Sequence, residues 1–221
     1  MIDFDELALL SALKQNKLEL SADQLGCFKK YVSLLLLWNK RTNLISRGDE
    51  PHIIDRHVLE SLSVLLVCEI PVGSRLVDIG SGAGFPAIPI KLMRPDLEVV
   101  LVESKRFKTL FLREVIQRLS LASVRVVCER VELLGGKDEF CGRFDFAFCR
   151  AVASLVVEYD WARPMLTLNG KFIAWKGGDV QGEIHQLLSQ YHDIAVDVVM
   201  MNQRIVDPAR NKKLIIVQRN A

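Results

Sequence analysis

Leu76-Val77-Asp78-Ile79-Gly80-Ser81-Gly82-Ala83-Gly84 limits what this chain can become more than any other stretch. A short apolar run ends in an acid and a glycine-rich bend, and Phe85-Pro86 then opens a helical pattern. A strand, Asp-x-Gly-x-Gly-x-Gly and a helix, in that order, suit a nucleoside cofactor lying across the carboxyl end of a parallel strand. Glycine reaches positive φ and lets the backbone approach a ligand with no Cβ in the way. The helix start presents unpaired N–H groups to that ligand. The plain alternative is a glycine-rich strand-to-helix turn that holds nothing.

The glycine spacing narrows the cofactor. A dinucleotide site has Gly-x-Gly-x-x-Gly and receives a pyrophosphate at the helix start. Here the third glycine comes one residue early, and Phe85 stands where a dinucleotide protein has glycine. The pattern resembles the first motif of S-adenosylmethionine-dependent methyltransferases.

The rest of the chain fits a doubly wound α/β domain behind a helical arm. Residues 1–70 read as helical. Ser21-Ala22-Asp23-Gln24 is a capping box, and Leu25, Phe28, Val32, Leu35 and Trp38 follow at helical spacing. The Asn43–Asp49 stretch breaks that pattern, and a further helix after Pro51 carries Ile54, Val58, Ser61, Leu62 and Leu65 on one face. Pro71-Val72-Gly73 marks the boundary, which sets a 1–70 arm against a 71–221 catalytic domain. Strands are expected near 75–79, 98–103, 123–128, 144–149 and 171–175, with helices near 86–94, 105–119, 152–168 and 180–191. Residues 194–202 and 213–219 are two strands with no helix between them, so a long hairpin closes one edge of an otherwise parallel seven-stranded sheet.

Composition excludes several classes. Lys plus Arg is 29 and Asp plus Glu is 27, a net charge of +2, so any surface for RNA must be a local one. The five cysteines include no Cys-x-x-Cys pair, which argues against a zinc site or a disulfide framework and fits a reducing, cytoplasmic setting. The Met1 end has no signal-peptide apolar core, and Leu34-Leu35-Leu36-Leu37-Trp38 is too short to span a membrane. No membrane and no metal are therefore expected.

Around the glycine bend, Glu103 ends the second strand about twenty residues on, where an acid accepts ribose hydroxyls. Its bland role is a cap on the next helix. Glu129-Arg130-Val131-Glu132 follows the third strand and lies either beside the cofactor base or at an ordinary helix start. The fourth strand runs into Cys149-Arg150-Ala151. Arg150 is the candidate to position the reacting groups, by gripping the cofactor carboxylate, steering a phosphate or guanine O6, or forming a structural ion pair. Cys149 lacks a neighbouring base and reads as packing rather than as a nucleophile. The chain has no Asp/Asn-Pro-Pro-aromatic motif of the kind used on exocyclic amines. Lys105, Arg106, Lys108, Arg113 and Arg118 share one helix and form either a phosphate stripe or a solvated face. Arg204, Arg210, Lys212 and Lys213 make a second basic patch. Arg56 and His57 face either the sheet or RNA.

Taken together the chain resembles the ribosomal RNA small-subunit methyltransferase G family, also called glucose-inhibited division protein B. The resemblance is carried by Leu37-Trp38-Asn39-Lys40 with Asn43-Leu44, by Arg56-His57-Val58-Leu59-Glu60-Ser61, by Asp78 to Pro89, by Lys105-Arg106 with Phe111-Leu112-Arg113, by Cys149-Arg150-Ala151 and by Lys176-Gly177. Glu60 stands for the family's Asp, Ala87 for a glycine and Cys149 for a serine. The resemblance implies a Rossmann-like methyltransferase fold and transfer of a methyl from S-adenosylmethionine to guanine N7 of 16S rRNA near the decoding region. It implies that Gly80, Phe85, Val131, Glu132 and Arg150 line the cofactor, to which the bend and the second strand's end add Gly82, Gly84 and Glu103. It makes 16S rRNA or a small-subunit particle the partner; Lys105, Arg106, Lys108, Arg113, Lys176 and Arg56 are the candidate contacts, and a monomer is expected although the sequence does not fix the oligomeric state. The rival readings are a small-molecule methyltransferase and a catalytically silent RNA-binding module.

Overall fold

The structure is a computed structural model and describes residues 4–201 and 206–220. Arg204, part of the second basic patch, lies outside the described residues. Seven strands form one sheet: β1 (Arg75–Ile79), β2 (Glu98–Val102), β3 (Val124–Val127), β4 (Phe144–Arg150), β5 (Leu166–Gly177), β6 (Ile194–Met200) and β7 (Lys212–Arg219). Their order is β3-β2-β1-β4-β5-β7-β6, with β1 to β5 parallel. The strand order reverses at β1/β4, where a doubly wound sheet opens a crevice at its carboxyl edge.

The hairpin closes the far edge with one refinement. β7 inserts between β5 and β6 and runs antiparallel to both, so the last strand is internal and β6 is the edge. β5 is longer than its apolar core suggested. Pro164 in the Arg163–Met165 3-10 turn stops α6 (Leu155–Ala162) early, and the chain enters β5 at Leu166. The helices on the sheet are α4 (Ala87–Met93), α5 (Arg106–Arg118), α6 and α7 (Gln181–Gln190).

Alternation along the strands feeds two cores. Leu76, Leu101, Phe148 and Ile173 point to one face; Val77, Ile79, Val102, Ala147 and Ala174 point to the other. α6 and α7 cover the second face. The first face is covered by α4, α5 and the N-terminal segment, whose helices are α1 (Glu6–Gln15), α2 (Ala22–Asn39) and α3 (Glu60–Leu62). α3 continues a π-wound turn, Ile54–Leu59, and runs into a 3-10 turn, Ser63–Leu66.

Polar contacts fix this segment onto the sheet layer. The capping box forms as the spacing predicts: the Gln24 N–H donates to Ser21 Oγ (3.1 Å) and the Ser21 N–H donates to Gln24 Oε1 (2.9 Å). The same Gln24 amide reaches Leu92 O at the end of α4 (2.9 Å). Tyr31, fully buried in α2, donates its hydroxyl to Ala83 O in the glycine bend (2.6 Å). Trp38 Nε1 donates to Glu114 on α5, and Trp175 Nε1 donates to Glu60 O.

Candidate active site

A cavity of about 660 Å³ opens at the carboxyl ends of β1, β2 and β4. Gly80 and Ser81 donate their N–H groups to Val102 O, which pins the bend to the end of β2. Gly80 has φ +71°, and a Cβ there would meet Val152 Cγ2 at 2.6 Å, so no side chain fits. Gly82 differs: with φ +56°, its added Cβ would meet nothing closer than 3.8 Å and would stand toward the cavity. Gly84 closes the bend by donating to Ser81 O but does not line the cavity.

Glu103 is buried, and each oxygen accepts one backbone N–H, from Gly82 at 3.0 Å and from Lys105 at 2.7 Å. The capping contact weighed for this acid forms, through the Lys105 N–H. A carboxylate has about four acceptor sites, so capacity remains for two hydroxyls. Val131 and Glu132 sit on the same rim, in a 3-10 turn rather than a full helix. Phe85 forms part of the wall nearest Arg150, edge-on to Tyr31 and stacked on His57 with centroids 4.8 Å apart. Below the bend, Asp78 is 0% exposed and neither carboxylate oxygen meets a donor in strict hydrogen-bond geometry among the described residues, although the Ser81 hydroxyl and the Ala87 N–H stand near enough to temper its shift. Burial pushes its pKa up to about 7, with the Glu103 charge adding to the shift.

The profile of the family described as rRNA small subunit methyltransferase G matches residues 24–210. The chain belongs to this family. A protein of that name from Desulforamulus reducens is 38% identical over 180 residues, which cover 81% of this chain and 75% of its own. One from Roseiflexus sp. is 33% identical and covers 96% of this chain and 91% of its own. Among solved structures, a ribosomal protein L11 methylase from Lactobacillus delbrueckii superposes with a TM-score of 0.56 at 18% identity over 74% of this chain and 77% of its own. A SAM-dependent methyltransferase from Aquifex aeolicus gives 0.56 at 15% over 77% of this chain and 94% of its own. These two likenesses concern the fold. The chain is a methyltransferase, and its methyl donor is S-adenosylmethionine.

The residues present fit that donor. Glu103 offers hydroxyl acceptors, Gly82 leaves the space a Cβ would fill, and Val131 offers an apolar surface beside Glu132. When bound, the donor supplies an electrophilic methyl on a sulfonium.

Arg150 borders the cavity as expected, but its guanidinium is already engaged. Nη2 donates to Arg56 O (2.7 Å) and Glu60 Oε2 (3.0 Å) and meets His57 Nδ1 (3.2 Å), while Nη1 donates to His57 O (3.4 Å). The bidentate grip on a cofactor carboxylate is therefore not open to these two nitrogens. The structural ion pair weighed for Arg150 forms, while the residue keeps its place on the cavity wall, 5.8 Å from the Phe85 ring. His57 is drawn in beside it, its pKa lowered to about 3 by burial and by the Arg150 charge. The neutral ring uses Nδ1 toward Arg150, so Nε2 carries the proton, and that buried atom finds no acceptor within hydrogen-bond geometry.

The expected RNA contacts divide. Lys105 and Lys108 line the cavity, and Arg106 and Arg113 are exposed on α5. Arg56 is half-exposed and paired with Asp49 at 2.8 Å. Lys176 is a correction. It is 9% exposed, pairs with buried Glu158 at 3.0 Å and with Glu183 at 3.1 Å, and donates to Ala153 O. Glu158 in turn accepts from the N–H groups of Val152 and Ala153. Lys176 thus braces the 151–153 loop from within, its ammonium engaged by two carboxylates and a carbonyl. Cys149 is buried off the cavity against Ile79 O, as a packing residue.

Several site residues went unread in the sequence. Leu44 and Ile45 form part of the cavity wall because buried Asn39 accepts both of their N–H groups, at 2.8 and 3.0 Å. Trp161 lines it from α6. Only the Asn39…Leu44 spacing hinted at the first two. Among the described residues no group of three or more His, Cys, Asp or Glu suits a metal, and no helix is long and apolar enough to cross a membrane.

Proposed function

We propose that this methyltransferase acts on N7 of a guanine in 16S rRNA, near the decoding region, as a cytoplasmic monomer working on naked rRNA or a small-subunit particle. The observation that carries the reading is that, among the described residues, Arg150 and its neighbours His57 and Cys149 offer no competent base. Arg150 is a donor only. His57 is neutral at ordinary pH, and the nitrogen that would accept a proton is turned to Arg150. The buried thiol of Cys149 has its pKa raised well above its usual value by desolvation. Guanine N7 has an in-plane lone pair and no proton, so its attack needs alignment and exclusion of water but no base. Alignment of that kind supplies several kcal/mol, up to about 7–11 in favourable cases. A hydroxyl or exocyclic amine acceptor would need a proton sink that these residues do not provide. Arg150 must then leave N7 free, and any contact it makes with the base goes to O6. Gly80, Gly82, Phe85, Glu103, Val131 and Glu132 are proposed to surround the donor. Lys105, Lys108, Arg106 and Arg113, and Arg56 more weakly, are proposed to meet phosphates.

The test is transfer of labelled methyl from S-adenosylmethionine to deproteinised 16S rRNA, to small-subunit particles and to a metabolite pool, followed by mass-spectrometric mapping. Label on guanine N7 in rRNA is expected. Label on another base atom, or in metabolites alone, overturns the reading.

A further inference from the structure

One carboxylate in this chain collects three cations. Glu60 is 1% exposed and sits at the head of α3 in the N-terminal segment. Its Oε2 accepts from Arg150 Nη2 at 3.0 Å, its Oε1 accepts from Arg210, and Lys212 Nζ stands 3.9 Å away. Its carbonyl accepts from Trp175 at 2.8 Å and from Ser63 at 2.7 Å. Apart from the neighbouring Ser63, the partners come from four places: the end of β4, the end of β5, the 3-10 turn Pro208–Arg210 and the start of β7. Because β7 runs antiparallel to β5, with Gly177 opposite Lys212, these places lie at the same edge of the sheet as the cavity.

We propose that Glu60 is a positioning residue of the methyl-transfer site: its buried charge holds Arg150 against the cavity wall and clamps the Pro208–Lys212 segment onto the N-terminal helices. The charge count decides the direction. Three cations face one carboxylate, so removing it leaves Arg150, Arg210 and Lys212 repelling one another across a poorly solvated space. Arg150 keeps its two carbonyl acceptors but loses its only anionic partner among the described residues. Its distance from Phe85 and His57 is then no longer fixed, and alignment at the cavity suffers while the Glu103 rim is untouched.

The inference rests on methyl transfer at this cavity, not on the identity of the acceptor. Glu60→Gln is expected to stay folded by circular dichroism, to bind S-adenosylmethionine within about twofold of wild type, and to lower kcat about tenfold or more with little change in KM. Glu60→Asp, the family's own residue, should recover most of that loss. Combining Glu60→Gln with Arg150→Met should cost no more than the worse single change. Wild-type turnover in Glu60→Gln, or additive losses in the pair, overturns the proposal. Should Glu60→Gln fail to fold, amide exchange in the free Arg210→Met protein decides. Faster exchange at 54–60 and 206–212 supports the clamp, and unchanged exchange refutes it. A wild-type protein that labels no rRNA sinks the acceptor reading alone, since the exchange measurement needs no acceptor.

Discussion

Gly82 and Asp78 lie four residues apart and respond to different forces. At Gly82 the constraint is space: a side chain would stand in the cavity, on backbone that β-branched residues avoid. Gly82→Val should weaken S-adenosylmethionine binding by about a hundredfold, or 2–3 kcal/mol, by titration calorimetry. Wild-type affinity would contradict the assignment of the bend. At Asp78 the constraint is charge. Its carboxyl ionises near the ordinary aspartate value of 3.8 when unfolded but only at about 7 when folded. Stability from this group is fully present below about 3.8 and is lost as pH rises through about 7. Asp78→Asn removes that dependence. The melting temperature of the variant minus that of wild type should grow steadily from pH 4 to pH 8, both without ligand. A flat difference would mean that Asp78 is solvated or paired. His57 has the opposite sign: its folded pKa of about 3 lies below the unfolded 6.5, so its contribution is present above 6.5 and lost as pH falls toward 3. Subtracting the two melting curves isolates Asp78 from that background.

At the scale of elements, the parts legible in the sequence were those with a local cause. The strand-bend-helix at 75–93, the capping box at Ser21 and the basic turn opening α5 follow from glycine placement, side-chain-to-backbone hydrogen bonds and helical spacing. The ends of elements were less legible. α6 stops at Ala162 and β5 starts at Leu166 because Pro164 and pairing with β4 outweigh an apolar run that reads as one longer helix. Lys176 follows the same rule. On the sequence it is a cation after a strand; in the sheet, β5 delivers it to Glu158 on α6 and Glu183 on α7. Lys176→Met would leave the Glu158 charge buried without its ion partner. A loss of about 3–5 kcal/mol in urea unfolding is expected, with the salt dependence of RNA binding by the folded fraction unchanged. A shallower salt slope would restore Lys176 to the RNA surface.

For the molecule as a whole, the cavity is a joint product of the sheet edge and the N-terminal helices. Ile79, Glu103 and Arg150 come from strand ends, whereas Leu44, Ile45 and His57 are carried in by residues 40–60. Around its mouth the net charge of +2 is redistributed: Lys105 and Lys108 at the rim and Arg106 and Arg113 on α5 gather cations on one side. Replacing Lys105 and Arg106 together should make the slope of log K against log salt shallower by about 1.4–1.8, with donor binding retained. An unchanged slope would make them ordinary surface charges.

The sequence alone determined where a cofactor bend forms and which strands surround it, since those depend on φ preferences, periodicity and spacing within short windows, and the chemistry class came with the family resemblance its motifs carry. Tertiary structure alone decided that Arg150 answers to Glu60, that Lys176 is interior, and that His57 stays neutral beside Phe85. Each of those depends on partners up to 93 residues apart brought together by packing, and on the loss of water that packing imposes, neither of which is written in any local stretch of the chain.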